Sequence, residues 1–294
     1  MRTAADASRL ARAAHWTFRL LNASRASAAG LAVFVAICAL AVATPWLAPH
    51  DPVAQDIPHR LEAPSARYLL GTDTFGRDIL SRLLWGSRIS LTIGIASILL
   101  AMVVGGALGV LAGYRGSRID LAIMRLMDVL LSFPTLIMGL LIVAVLGPSM
   151  ANLIGAIALT VVPKFARIAR APTMAVRERE FIEASRALGV SDLRIMAVHV
   201  VPNIAGEVLV MASLWTATAV RIEASLSFIG LGVKPPTATW GGMIREGFEH
   251  ILDAPWLSVY PGLCLLLLVF SLNLVGDGLR DAADPRLRNG QSSW

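Results

Sequence analysis

The chain has 294 residues, 56% of them hydrophobic and 16% charged, with a mean hydropathy of +0.67. So much apolar surface points to lipid as the solvent and argues against an ordinary soluble domain. The net charge is +6 and 24 of the 26 basic residues are Arg; they lie between apolar runs, as in the loops of a membrane protein, rather than forming a nucleic-acid surface.

Residues 1–28 read as a basic N-terminal segment, followed by a first transmembrane helix over 29–48. The Arg-rich start, the apolar run and Ala41-Val42-Ala43 also fit a cleaved signal peptide. The run exceeds a signal core and about 28 residues precede it, which favours an uncleaved anchor. Residues 49–88 are too polar to span. Ile79, Leu80, Leu83 and Leu84 form a stripe beside polar Asp78, Ser81 and Arg82, which predicts an amphipathic helix on the outer surface. Its bland role is packing at the membrane surface, and its sharper one a docking platform.

The second span covers 89–114 and carries Gly105, Gly109 and Gly113, a row four apart that lets another backbone approach. Arg125 and Asp128, three apart, can pair at the start of the third span. The apolar stretch 129–163 is too long for one span, and Gly147-Pro148 divides it into two. A fifth span follows Pro202 to about Ile229, and a sixth covers 254–276. The expected architecture is all-α, with six transmembrane helices and a five-helix core over 89–280. With the N-terminus inside, cytoplasmic segments hold eighteen basic residues against seven outside, which predicts both termini, including a tail over 281–294, on the cytoplasmic side. Arg221 and Glu223 lie in the fifth span, two apart, on roughly opposite sides of the helix. Intramembrane charge makes them candidates for a substrate pathway, and interfacial snorkelling is the competing reading.

Between spans four and five, residues 176–202 are polar. Helical spacing puts Phe181, Ala184, Ser185 and Leu188 on one face, small in the middle and bulky at the ends, with Glu183 and Arg186 able to pair on its flank. Gly189 ends that helix in a left-handed conformation and Ser191 is placed to cap a second. Leu193, Met196, Ala197 and Val200 share the second helix's face. Such a joint fits a groove on another protein, or else the lipid headgroups. The two lysines, Lys164 and Lys234, lie in no phosphate-cradling loop, no histidines stand at metal-ligand spacing, and Cys38 and Cys264 read as packing thiols. An intramembrane enzyme lacks a polar catalytic pair here, and a purely structural or signalling membrane component remains the alternative to a transporter.

EASRALG (183–189) followed by His199-Val200-Val201-Pro202-Asn203 resembles the EAA loop of ABC-importer permeases, with Ser185 where that pattern prefers Ala. LGTDTFGRDILSRLLWGSRISLTIG (70–94), which holds Gly71, Asp73, Gly76, Arg77, Asp78 and Arg82, resembles a signature of the "C"-type permeases of the dipeptide, oligopeptide and nickel branch. So do EASLSFIGLGVKPPTATWGGMI (223–244) and DPRLR (284–288). Arg221 departs from the usually apolar family position. The resemblance implies a type I ABC-importer permease fold and one of two permease subunits forming a pathway for di- or oligopeptides, nickel or another small solute. It implies two separate ATPase subunits that carry ATP and magnesium, a solute-binding protein outside, and no cofactor on this chain. Phe181, Glu183, Ala184, Ser185, Leu188 and Gly189 would couple to the ATPases, in a bacterial or archaeal cytoplasmic membrane.

Overall fold

The structure, a computed structural model, describes residues 25–283. The first 24 residues, and 284–294 with the DPRLR stretch, lie outside it. Ten helices carry the fold among the described residues: α1 (Arg25–Leu47), α2 (Ile79–Arg115), α3 (Ser117–Leu131), α4 (Thr135–Leu146), α5 (Met150–Arg177), α6 (Glu180–Ala187), α7 (Asp192–Ile195), α8 (Val201–Ile229), α9 (Trp240–Phe248) and α10 (Trp256–Ala283). The only extended pairing among them is an isolated bridge between Thr72 and Asp78. Among the described residues, five helical stretches are long and apolar enough to cross a membrane, and the count becomes six when α3 and α4 are taken as one bent span.

The bend is a departure from expectation. α3 and α4 meet at 89°. Pro134 disfavours helical geometry at Phe133, and the chain breaks there instead of running on from residue 129. α4 alone, at 12 residues, rises about 18 Å and is too short to cross about 30 Å of hydrocarbon. The turn at Gly147-Pro148 does separate α4 from α5: Gly147 has φ +85°, and Ser149 caps α5 by accepting from the Asn152 N–H at 3.2 Å.

A second departure concerns α2. Its 37 residues include the stripe expected to lie separately on the surface. Nothing between Leu84 and Ile89 breaks the helix. Gly86 lets Trp240 pack closely onto the helix there, with the indole Nε1 donating to the Leu83 carbonyl at 3.0 Å. Ile79 and Leu83 are therefore buried against α9 and α10 rather than laid on lipid.

A third departure joins α7 to α8. Pro202 has no N–H for the helical ladder, and over Met196–Val200 the ladder widens to a π-turn without breaking. Asp192–Ile229 is one continuous stretch.

Two apolar cores hold the bundle. One joins α2, α5 and α8 around Ile93, Leu153, Phe165 and Leu226, and the other joins α1, α2, α9 and α10 around Ile79, Trp240 and Leu268. Within the first, Gly105, Gly109 and Gly113 lie against α5, where a Cβ on each would overlap the carbonyl oxygen of Val162, Ala166 and Arg170 in turn. The expected Arg125–Asp128 pair does not form. Asp128 instead accepts from Arg167 of α5 at 2.6 Å, and Asp120 takes Arg170 through two hydrogen bonds of 2.5 Å. A planar guanidinium on a facing helix offers better geometry than a neighbour along the same exposed face.

The bundle has two ends. Residues 48–78, 147–149 and 230–255 gather at what we call the loop end, and 115–118 and 178–200 at the joint end. Gly109→Ala should lower stability by about 1–3 kcal/mol through overpacking. Gly106→Ala, where nothing lies within 4 Å of the new Cβ, should leave it unchanged. Thermal unfolding of the two purified variants checks this.

Candidate functional site: the coupling joint and the loop-end knot

At the joint end, α6 closes with a Schellman turn. Gly189, at φ +75°, donates its N–H to Arg186 O at 2.9 Å, and Val190 donates to Ser185 O at 3.1 Å. Ile182 is fully buried and anchors the helix to the first core. The opposite face stays uncovered: Phe181 is 44% exposed, Leu188 is 83% exposed, Ala184 is exposed and Ser185 half-buried. The Ser185 hydroxyl is turned back onto Phe181 O at 2.7 Å, so the face presents carbon rather than a free donor. Glu183 stands exposed with no partner among the described residues.

The expected Glu183–Arg186 pair is absent because Arg186 has a better partner. Its Nε donates to the Tyr114 hydroxyl at 3.2 Å and its guanidinium lies 5.0 Å from the ring centroid. That hydrogen bond holds the guanidinium above its ordinary pKa. The same hydroxyl donates to Asp192 Oδ1 at 3.1 Å, and Arg115 reaches Asp192 at 3.2 Å. Tyr114, itself buried in the last turn of α2, thus ties α6 and α7 to one point. Arg177, at the end of α5, donates to the carbonyls of Gly113 and Tyr114 at 3.4 and 3.2 Å, where α2 has run out of N–H partners.

Ser191 occupies the capping position of α7 but its side chain makes no capping bond. The shared face expected for Leu193, Met196, Ala197 and Val200 is also divided. Met196 and Val200 are buried, whereas Leu193 is 75% exposed, because the π-turn rotates the register and Ile195 becomes the anchor. Leu193, Met196 and Ala197 line an apolar groove of about 570 Å³ with Val103, Ile204 and Val208.

At the loop end, residues 56–82 form a knot. Gly71 (φ +81°) and Gly76 (φ +72°) turn the chain so that Asp73 points inward. Asp73 Oδ1 accepts from the N–H groups of Phe75 and Arg77 at 2.8 and 3.0 Å, while Oδ2 takes Arg77 Nε at 2.6 Å and also Arg82 Nη1. Glu246 of α9 closes the set, with Arg77 Nη2 at 3.0 Å and the two terminal nitrogens of Arg82 at 2.9 and 3.2 Å. Asp73, Arg77 and Arg82 are each no more than 3% exposed. Asp78 caps α2, accepting from Ser81 N–H at 2.9 Å and Ser81 Oγ–H at 2.6 Å. Farther out, His59 and then Tyr68 hold the Asp56 carboxyl below the usual range. A cavity of about 410 Å³ opens beside the knot, lined by Arg82, Glu246, Lys234, Arg245 and His250.

Arg221 and Glu223 part company as their spacing requires. Arg221 is exposed and donates to Thr218 Oγ1 at 3.0 Å; Glu223 is fully buried and accepts from Ser227 Oγ at 2.7 Å. Neither joins the other, the knot or the joint. Among the described residues no cluster of His, Cys, Asp and Glu could hold a metal ion. Sequence reasoning did not reach Tyr114, Arg177, Asp192 or Glu246. The available signal for Tyr114 was a lone aromatic between Gly113 and Arg115, where a span meets basic residues.

Tyr114→Phe keeps the ring and removes the hydroxyl. Hydrogen exchange should speed up across 180–195, by the equivalent of about 1–3 kcal/mol for the two lost bonds, and stay unchanged in α1 and α10. Glu246→Gln leaves buried Arg82 undercompensated and should cost about 3–5 kcal/mol in thermal unfolding, whereas Arg67→Ala on the exposed rim should cost less than about 1 kcal/mol.

Comparison with known proteins completes the picture. Residues 105–289 match the family model described as binding-protein-dependent transport system inner membrane component, and residues 16–64 match the N-terminal transmembrane domain of oligopeptide transport permease C. The chain is 44% identical to the di/tripeptide transport system permease protein DppC of Pseudomonas aeruginosa, over 88% of each chain. It is 38% identical to the dipeptide transport system permease protein DppC of Alkalihalophilus pseudofirmus (92% of this chain, 90% of that one). With the glutathione transport system permease protein GsiD of Pectobacterium atrosepticum it shares 41% identity (92% and 90%). In fold it resembles a chain of the MetNI methionine ABC transporter, solved in inward-facing conformations, with a TM-score of 0.55 at 19% identity, covering 69% of this chain and 97% of that one. The chain therefore belongs to the binding-protein-dependent transport family of inner-membrane components, as a C-type ABC-importer permease subunit, a multi-pass transport subunit and not an enzyme.

Proposed function

We propose that this chain forms half of a translocation pathway for di- or oligopeptides in a bacterial cytoplasmic membrane. A second, different permease subunit supplies the other half. A solute-binding protein delivers the peptide at the loop end, which faces outward, and two ATPase subunits dock at the joint end, which faces the cytoplasm together with both termini. ATP and magnesium belong to those ATPases. Three kinds of relative named for di- and tripeptides, dipeptides and glutathione support the peptide reading. The excess of basic residues at the joint end supports the orientation.

The observation that carries the coupling role is the uncovered face of α6. Phe181 and Leu188 stand out at its ends, Ala184 and Ser185 leave a shallow centre, and Gly189 fixes the angle at which the face is offered. A helix of this shape seats in a groove. Its base is tied to α2 through Tyr114 and Arg186, so a push on the face is a push on the bundle. Docking can bias the pathway between its open states only if the ATPase groove binds the joint differently in each.

The test uses the assembled complex. Ala184→Trp fills the shallow centre and Glu183→Ala removes the unpartnered carboxylate beside it. Either weakens association with the ATPase subunits or leaves hydrolysis running without matching peptide uptake, with loss of uptake of about tenfold or more for the Trp variant. Normal peptide-stimulated hydrolysis together with normal uptake in both variants sinks the coupling role. The isolated chain binds no nucleotide by equilibrium dialysis.

A further inference from the structure

Lys164 is one of two lysines in the chain and lies near the middle of α5. Its Nζ sits 4.0 Å from the ring centroid of Trp215, near the middle of α8. No carboxylate pairs with it among the described residues. The other cations of α5 all have acids: Arg167 has Asp128, Arg170 has Asp120 and Arg177 has Glu178. Trp215 adds to the imbalance, because its Nε1–H is buried without an acceptor. A cation and an unused donor thus meet in the interior of two spans with nothing negative to receive them.

Three accounts of such a group are available. Snorkelling would carry the ammonium along its stem to a helix end, where water is. Here the ammonium instead crosses to the middle of a neighbouring helix. Simple packing in lipid is disfavoured, since Lys164 is half-exposed on the surface of this chain and a cation facing hydrocarbon is costly. The ring face alone leaves the three ammonium donors without acceptors. What remains is an anion supplied from outside this chain, either an acid of a neighbouring subunit or a group that arrives with the solute. Transporter sites for charged groups are commonly found at mid-depth, where a desolvated charge discriminates most sharply.

We infer that Lys164, steadied by the face of Trp215, is a specificity-determining carboxylate site inside the pathway, and that the group it takes is the free C-terminal carboxylate of the transported peptide. The inference rests on the peptide-import reading and sharpens it: every peptide has one such carboxylate whatever its side chains, so one fixed cation can serve a range of sequences. The cation–π contact holds the ammonium aside while the pathway is empty without neutralising it, and so competes little with an incoming anion.

The test is uptake into proteoliposomes by the full complex with its own binding protein, using a matched pair of peptides that differ only in a free C-terminal acid or a carboxamide. Three complexes are compared: unaltered, Lys164→Met, which keeps the length and apolar stem, and Lys164→Arg, which keeps the charge. The binding protein is the same throughout, so its own preference cancels between complexes. The free-acid to amide uptake ratio should fall about tenfold in the Met variant and return toward the unaltered value in the Arg variant. Trp215→Phe, which keeps a ring face and loses the donor, should lower the ratio about threefold. An equal loss for both peptides overturns the inference, and is what an acidic side chain of the second permease pairing with Lys164 would produce. Undiminished free-acid uptake in the Met variant overturns it as well. Failure of the unaltered complex to import either peptide would instead strike the peptide-import reading.

Discussion

The rest of the molecule hangs from the contact between α2 and α5. Three glycines on one helix admit three carbonyls of the other, so the two backbones meet where side chains normally stand. Such a contact has little room to slide, since each step along it would drive a Cβ or a carbonyl into its neighbour. The pairs at the joint end, Arg170–Asp120, Arg167–Asp128 and Arg177 on the last carbonyls of α2, close the same interface and bring α3 into it. α2 and α5 behave as one body, and α6 emerges from the end of that body.

The two ends of the bundle are built on opposite principles. At the loop end, Asp73, Arg77 and Arg82 satisfy one another almost wholly out of water, and the partly exposed Glu246 closes the set. A cluster of this kind adds little net stability over a well-packed apolar one, but it is severely damaged when one member is lost. It fixes a single arrangement of the 56–82 segment against α9. At the joint end the charged groups stay near water, one face of α6 is bare, and α6 is tied to α2 through one phenol. On the proposed function, an outer surface of fixed shape and an inner face offered to another protein would need this difference.

Much of the architecture is legible in the sequence because the signals are local. Gly147-Pro148 marks a turn, Gly189 marks a left-handed stop, and a period of four in glycine marks a close helix contact, each readable within ten residues. What stayed hidden is of two kinds. Pro134 sits inside a strongly apolar run, and hydropathy smooths over the 89° bend it allows. The partners of Arg82, Arg186 and Tyr114 lie far along the chain, with Glu246 164 residues from Arg82 and Arg186 72 from Tyr114. Spacing rules see only neighbours, so they assigned Arg186 to Glu183 and Asp128 to Arg125, and the fold chose partners on facing helices. Lys164 was visible from the start but was read only for the absence of a phosphate loop around it.

The continuity of Asp192–Ile229 makes it the longest helical stretch among the described residues. At 38 residues it rises about 57 Å, from the joint to the glycine that begins the loop-end connection. The π-turn loosens its first stretch without cutting it, so a displacement at Asp192 reaches the rest of the helix. Against α2 and α5, which are locked together, α8 presents mainly side chains, and side-chain contacts can slip where interleaved backbones cannot. Lys164 and Trp215 face each other across that side-chain boundary. A shift of α8 of one to two ångströms, the scale of helix movements at switching interfaces, would draw the ring away from the ammonium. The affinity of such a cation for a carboxylate would then differ between the two positions of α8, which is the condition for one motion to both admit an anion and release it.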